Sequence, residues 1–465
     1  MTNHQRYQEA LDYIYSFVDY SVKRTFRYSE DVLDLDRVRR LLQALGDPQA
    51  QCQSVHIAGT KGKGSVAALM ASALKAQGYR TGLYTSPHLV HLTERIKVDG
   101  QDIGEETLAE AVDTVRAHVD SIDGLTTYEI ITAVGFLHFA NQGVECAVVE
   151  VGLGGRLDAT NVLSPLVSVI TSLSYDHMHI LGDSLSDIAR EKAGIIKPGV
   201  PVVLAPQQYE AELVVEQVAK DESARLIRVG KEWLFAPGAR DLDHQDMYIW
   251  SASEQPSVEA FIEAAGNEEW VPPRYSIPLL GYHQVINAAV AYAALQVVDE
   301  RGLPIAESAI LEGFRTAFWP GRFQVLSKSP AVVVDSAHNR DSALKLRIAI
   351  DDYFPGKPVT LVFGASADKD IAGMLAELMP RVSRLVVTKA AHPRAADPKE
   401  VAALAQGHGV RTTVACPVAN ALEMAMSRAR PGEVIVAAGS LFVAGEVLAA
   451  WEEKGERQVK ALGRG

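Results

Sequence analysis

Val55-His56-Ile57-Ala58-Gly59-Thr60-Lys61-Gly62-Lys63-Gly64-Ser65 joins a short apolar run to an Ala-rich stretch, Val66 to Lys75, that holds no helix breaker. That order reads as a strand, a glycine loop and a helix. Such a loop turns successive backbone N–H groups and a helix N-terminus toward one point, where Lys63 neutralises phosphate and Ser65 reaches a metal or phosphate oxygen. The ligand expected there is a nucleoside triphosphate. The strict pattern G-x-x-x-x-G-K-[ST] is not met, because Ile57 stands at its first Gly and Gly64 at its Ser/Thr. A Gly-rich βα turn that binds nothing is the competing reading.

Composition bounds the answer. At 465 residues the chain exceeds one ordinary core, and its length predicts about two to three domains. Hydrophobic residues at 48% and charged residues at 22% are those of a folded globular chain. A net charge of −13 argues against general binding to nucleic acid or anionic membrane, while leaving room for a local basic pocket. Cys52, Cys146 and Cys416 are far apart and lack metal-ligand spacing, which points to a reducing, cytoplasmic setting. Met1 to Arg6 lacks the features of a signal peptide, and no apolar run approaches membrane-spanning length.

Short β-branched runs alternate with longer helical patterns. Val55–Ala58, Thr81–Thr85, Val144–Val151, Leu166–Thr171 and Val202–Ala205 are the clearest strands, separated by helical stretches that favour βαβ units and a mostly parallel sheet. Asp99-Gly100 predicts a hairpin within Arg95–Ile103. Residues 231–273, with Trp233, Trp250 and Trp270, read as an irregular or β-rich insertion without functional signal. A helix follows over Asn287–Val298. Beyond Pro320-Gly321 a second alternation begins, with strands at Val332–Asp335, Val359–Phe363, Leu385–Thr388 and Val434–Ala437. The expected fold is α/β: a P-loop domain with a mostly parallel sheet over residues 1–315, a linker over 316–321, and a smaller Rossmann-like α/β domain over 322–465.

In open α/β sheets, ligands bind beyond the carboxyl ends of the strands. Ser86 follows the second strand, Glu150 lies near the end of the Val144 strand and His177 follows the Leu166 strand, so all three are expected at the edge that carries the glycine loop. A hydroxyl, a carboxylate and an imidazole beside a triphosphate suit Mg²⁺, which takes few protein ligands and shares the rest with phosphate and water. Individually each has a plainer reading: a turn residue, a strand-end charge, a loop histidine.

These segments resemble the folylpolyglutamate synthase/dihydrofolate synthase family, within the Mur ligase superfamily. The resemblance runs through Gly59–Ser65, Thr85-Ser86-Pro87-His88-Leu89, Thr127-Tyr128-Glu129, the block Glu150-Val151-Gly152-Leu153-Gly154-Gly155-Arg156-Leu157-Asp158-Ala159-Thr160-Asn161, Asp176-His177, and Arg190-Glu191-Lys192-Ala193-Gly194-Ile195-Ile196. It continues through Pro320-Gly321-Arg322-Phe323, Asp335-Ser336-Ala337-His338-Asn339, Asp368-Lys369-Asp370 and Gly439-Ser440-Leu441. The Glu150–Asn161 block together with the Lys192 block is its most specific part.

The resemblance implies an ATP site over Thr60, Lys61, Gly62, Lys63, Gly64 and Ser65, with Asn287, Arg322 and Asp335 for adenine and ribose. It implies metal ligands at Ser86, Glu150 and His177, with Lys192 as a carbamate helping to hold a second Mg²⁺. Lys63, Lys192, His338 and Lys369 take catalytic roles by the same comparison. Thr126, Thr127, Tyr128, Glu129, Leu157, Asp158 and Ala159 are expected at the pteridine and benzoate end of the substrate, and the Arg156–Ala159 version resembles members that also accept dihydropteroate. Plainer readings are a helix N-cap for Asn287, a linker charge for Arg322, and a solvated charge on a Ser184-capped helix for Lys192.

The implied reaction joins L-glutamate to dihydropteroate or to reduced folates. ATP converts the substrate carboxylate to an acyl phosphate, glutamate's amine attacks it, and the second domain closes on the first. A monomer is expected, with no nucleic-acid or membrane partner. Departures from the family pattern are Lys61 at a usual Asn, Ser336 at a usual Gly and Arg340 at a common Pro. Two alternatives are a sister Mur-type ligase for another carboxylate and a non-catalytic ATP-binding regulatory module.

Overall fold

The computed structural model describes residues 2–19, 33–176, 178–263 and 271–462. Two compact units emerge: residues 1–238, 246–278 and 284–318 form the first, and residues 239–245, 279–283 and 319–465 the second. The first is built on an eight-stranded sheet of β1 (Gln53–Ala58), β2 (Thr81–Tyr84), β3 (Ile96–Val98), β4 (Gln101–Asp102), β5 (Cys146–Glu150), β6 (Val167–Ile170), β7 (Val202–Leu204) and β8 (Leu226–Arg228). Their order is β4-β3-β2-β5-β1-β6-β7-β8. From β2 to β8 every pairing is parallel, while β3 and β4 add an antiparallel edge. Asp99 and Gly100, at φ of 51° and 78°, make the tight turn between β3 and β4.

The central strands are apolar along their length because helices cover both faces. All residues of β5, and all but the first of β1, are buried. The helix Lys63–Gln77 starts at Gly62, in the left-handed region, and ends at Gly78, also left-handed. It buries Val66, Leu69, Met70 and Leu74. Gly313 lets the helix Glu307–Thr316 press against it: a Cβ there would lie 2.3 Å from the Ala73 Cα.

The insertion folds as β9 (Trp233–Arg240), β10 (Gln245–Ser251) and β11 (Arg274–Ile277) in the order β11-β10-β9, so its β-rich reading holds. A helix over Gln255–Glu263 was not expected. Trp233 stacks edge-on to Tyr292 at 5.2 Å and Trp250 donates to Gln255 at 2.9 Å, while Trp270 lies outside the described residues.

The second unit holds β12 (Gln324–Lys328), β13 (Ala331–Val334), β14 (Val359–Phe363), β15 (Val382–Val387), β16 (Arg411–Val414) and β17 (Val434–Ala438), in the order β12-β13-β17-β14-β15-β16. Only the β12–β13 pairing is antiparallel. Sequence reading missed β12 and β16. Both are edge strands with partly exposed, polar residues, and so lack the apolar run that marks the inner strands. No helix among the described residues is long and apolar enough to cross a membrane.

Leu69 is fully buried in the helix that carries the glycine loop. Leu69→Ala should destabilise the first unit by about 2–5 kcal/mol, read as a lower urea midpoint.

Candidate active site

The strand order sets the site. The order in which the chain adds strands reverses around β1, between β5 and β6, and the loop that follows β1 is Gly59–Gly62. Thr60 and Lys61 donate their backbone N–H groups to the Ser172 carbonyl at 3.0 and 3.1 Å, and the Thr60 hydroxyl bonds to the Ser174 carbonyl at 3.1 Å. The first intrahelical bond runs from the Val66 N–H to the Gly62 carbonyl at 2.9 Å. The N–H groups of Lys63, Gly64 and Ser65 therefore form the open helix N-terminus. Gly62, at φ 93°, is required twice over: a Cβ would strain the backbone and meet the Asn287 Oδ1 at 2.3 Å. Asn287 lies inside the helix Tyr282–Glu300, not at its N-cap, and donates to Gln284 at 2.9 Å.

Register brings the expected acidic group to this loop. Glu150 pairs with Ile57, two residues before Gly59. Its buried carboxylate lies 3.5 Å from the Lys63 ammonium and 3.4 Å from the Ser86 N–H. Lys63, Glu150 and Ser86 are thus gathered at one point. They provide hard oxygen donors and a cation, a set that fits Mg²⁺ with a triphosphate. His177 lies outside the described residues. Lys61, expected beside the phosphates, forms an ion pair with Asp176 at 2.9 Å.

Lys192 is 5% exposed and donates to the Gly59 carbonyl at 2.9 Å, so it is not a solvated surface charge. Ser184 does cap its helix, in a reciprocal box with Asp187. Burial, reinforced by the neighbouring Lys63, lowers the Lys192 pKa to about 7. A substantial neutral fraction at neutral pH is what uptake of CO₂ by an amine requires.

The end of that helix is fastened to the Glu150–Asn161 block. Arg156 pairs with Glu191 at 3.1 Å, its N–H donates to the Glu191 carbonyl at 2.8 Å, and the Asn161 amide reaches the Arg156 and Gly194 carbonyls at 2.9 and 3.0 Å. Gly155 and Gly194 permit the contact: a Cβ on the first would lie 2.8 Å from the Glu191 carbonyl oxygen, and on the second 2.4 Å from the Arg156 Cβ.

The expected substrate residues divide. Thr126 and Glu129 form a capping box for the helix Thr127–Asn141, and Glu129, with its pKa raised by burial, lies 3.6 Å from Arg37. The Thr127 hydroxyl bonds to the Ile14 carbonyl at 3.0 Å. These three side chains take part in capping and packing, as the spacing T-x-x-E announces. Tyr128 packs closely on the Glu150–Asn161 block, where a Cβ on Gly152 would lie 2.6 Å from its hydroxyl. Leu157 and Ala159, on either side of Asp158, are buried.

Asp158 is tied closely to its own segment. Its carboxylate accepts from the N–H groups of Gly152, Leu153 and Thr160 at 3.0, 2.9 and 3.0 Å, and from the hydroxyls of Thr160 and Tyr128 at 2.5 and 3.4 Å. Three backbone N–H groups and the Thr160 hydroxyl fix the position of this carboxylate, with the Tyr128 hydroxyl at longer reach. Thr160 also meets the Nε2 of His56 at 2.8 Å, and burial holds that imidazole neutral, with its pKa down at about 3. Sequence alone held no signal for His56.

In the second unit, Asp335 accepts from the N–H groups of Phe323 and Ala337, each at 2.8 Å. It thereby holds Phe323 at φ 43°, an unfavourable conformation for a ring-bearing residue. Arg322 lies close enough to oppose the upward pull of burial on the Asp335 pKa. Ser336 donates its hydroxyl to the Gly321 carbonyl at 2.8 Å, so the replacement of the usual Gly adds a tie. The His338 Nδ1 meets the Ser336 carbonyl at 2.9 Å, which assigns its proton to Nδ1. Lys369 is partly buried, in the turn before the helix Ile371–Leu378.

Residues 57–295 match the Mur ligase middle domain and residues 321–441 the Mur ligase glutamate ligase domain. The chain is 34% identical over 452 residues to a probable bifunctional folylpolyglutamate synthase/dihydropteroate synthase of Haloferax volcanii, covering 96% of this chain and 50% of that protein. It therefore spans half the length of that relative. Among solved structures, E. coli FolC in complex with DHPP and ADP is similar at a TM-score of 0.81 and 30% identity, covering 96% of this chain and 98% of that one. The bifunctional folylpolyglutamate synthase/dihydrofolate synthase of Yersinia pestis, complexed with AMPPNP and Mn ion, gives 0.80 and 29%, covering 96% and 98%. A phosphate loop on a parallel sheet, followed by a second α/β unit, thus defines a Mur ligase. Within that class, the chain belongs to the folylpolyglutamate synthase/dihydrofolate synthase family.

The donor count on Asp158 makes a specific prediction. Asp158→Ala strands buried N–H groups, at about 1–3 kcal/mol for each unsatisfied group, and should lower the melting temperature measurably. An unchanged melting temperature would show that these bonds are dispensable to the fold.

Proposed function

We propose that this chain is an ATP-dependent ligase that joins L-glutamate to dihydropteroate and to the γ-carboxyl of folates already bearing glutamate, releasing ADP and phosphate. The observation that carries this reading is the fastening of the Glu150–Asn161 block to the Lys192 helix beside the phosphate loop. A phosphate-binding turn without catalysis has no need of a buried, desolvated amine and a buried carboxylate at that point.

A carboxylate is a poor acyl donor because its leaving group would be oxide. Phosphorylation by ATP makes phosphate the leaving group, and the glutamate amine then displaces it through a tetrahedral intermediate. Lys63 and the N-terminus of its helix neutralise charge that spreads over the transferring phosphoryl group. Glu150 and Ser86, with His177 and a carbamate on Lys192, are assigned to hold two Mg²⁺ ions, which supply further charge neutralisation when bound. Asn287 shapes the phosphate loop through its contact with Gly62 and is assigned to the adenosine. Arg322, Asp335, His338 and Lys369 are assigned to the nucleotide by their motifs, with Asp335 acting through the loop it orders.

Tyr128, Leu157 and Ala159 are assigned to the pterin and benzoate. Thr126, Thr127, Glu129 and Asp158 are assigned to the same end of the substrate, where bonds within the chain hold them in place. We place the protein in the cytoplasm, in keeping with its three free thiols, and assign it a monomeric state.

The direct test offers dihydropteroate and tetrahydrofolate separately, each with L-glutamate and ATP, and identifies the products by mass. Phosphate release that needs both glutamate and the pteroate is expected. Release with neither, or a product from another carboxylate only, would overturn the assignment. Glu150→Gln keeps the shape of the side chain and removes its charge, and should lower turnover by about 10–100-fold with little change in melting temperature. Lys192→Arg, which cannot form a carbamate, should abolish amide formation. It should also lose the carbonyl signal that ¹³C-bicarbonate gives the unaltered protein in NMR.

A further inference from the structure

A basic cavity lies at the amino ends of the strands of the second unit, the edge opposite the Asp335–His338 loop. Parallel register sets Thr360, Arg384 and Arg411 in one row across β14, β15 and β16, so their side chains share a face. Arg428, at the end of the helix Val418–Ser427, joins them. With Thr413 and Met424 these residues line a cavity of about 150 Å³.

Like charges opposed on neighbouring strands repel unless an anion separates them. One anion is built in: the buried Glu433 accepts from Arg384 at 2.6 Å and from the Thr360 hydroxyl at 2.5 Å. A second bond, from Arg384 to the Arg428 carbonyl at 2.9 Å, fixes the guanidinium in place. Arg411 and Arg428 are exposed and have no ion-pair partner among the described residues, so beside the Arg384–Glu433 pair two positive charges are left over at the mouth of the cavity. That surplus stands out on a chain of net charge −13.

We propose that this cavity is an anion site that takes a phosphate-type dianion, either inorganic phosphate or the phosphoryl group of a small organic phosphate. Paired guanidinium groups offer the forked donors that such oxygens accept, on side chains that reach solvent at Arg411 and Arg428. The proposal does not depend on the ligase reading, because none of its residues belongs to the candidate active site.

Calorimetric titration with inorganic phosphate and with glycerol phosphate, in chloride buffer with saturating ADP over the glycine loop, tests it. One phosphate is expected to bind the unaltered protein. Its affinity should fall about tenfold in Arg411→Gln/Arg428→Gln, with melting temperature and ligase turnover unchanged. The same affinity is expected to survive in Lys63→Gln, which separates this site from the phosphate loop. Equal binding of glycerol phosphate would show that the phosphoryl group is what is read, and binding of inorganic phosphate alone would make the free anion the ligand. If the double variant loses stability, Arg428→Gln, which leaves the sheet untouched, carries the same expectation. Binding that is insensitive to these variants, lost in Lys63→Gln, or no stronger than chloride would overturn the proposal and leave the arginines as guards of an edge strand.

Discussion

The parallel register of β1 against β5 is the constraint on which the site depends. It sets Glu150 level with Ile57, so a carboxylate and a phosphate loop emerge side by side from adjacent strands. A slip of one residue would turn every side chain of β5 to the other face and carry Glu150 away from Lys63. The register is protected because both faces of these strands are buried, leaving no polar face on which a shifted pairing could be tolerated.

Given that register, the site gathers charges that would be costly without a ligand. Lys63, Lys61 and Lys192 lie near Glu150 and Asp176, all substantially withdrawn from water. Buried ion pairs gain little net stability over apolar packing, so this concentration of charge is better explained by the ligand it awaits than by the fold it holds. Lys192 states the point most sharply. Burial first, and then the neighbouring Lys63 and Lys61 cations, lower its pKa, while its ammonium donates to the Gly59 carbonyl. The Lys61–Asp176 pair moderates the same cluster, which explains how a lysine is accommodated where the family usually has an asparagine.

Much of this was legible in the sequence, and for identifiable reasons. Inner strands are apolar runs bounded by turn residues, so β1, β2, β5, β6, β7, β13, β14, β15 and β17 could be read. Loop chemistry located Asp99-Gly100 and the glycine loop ahead of the helix, which begins at Lys63, earlier than the Val66 expected. The convergence of Ser86 and Glu150 followed from sheet geometry before any comparison. Edge strands β12 and β16 were hidden, because half-exposed polar strands have no such run. His56 was hidden for another reason: it is buried through strand position and one hydrogen bond to Thr160, neither of which has a local signature.

The residues expected at the substrate have one feature in common. A motif match reports that a residue belongs to a site, not which of its atoms touches the ligand. Thr126, Glu129 and Asp158 each carry oxygens that accept from backbone N–H groups of their own segment. Such bonds hold a side chain in one orientation and order the loop around it. Asp158 and Asp335 do this in the two units in which they stand.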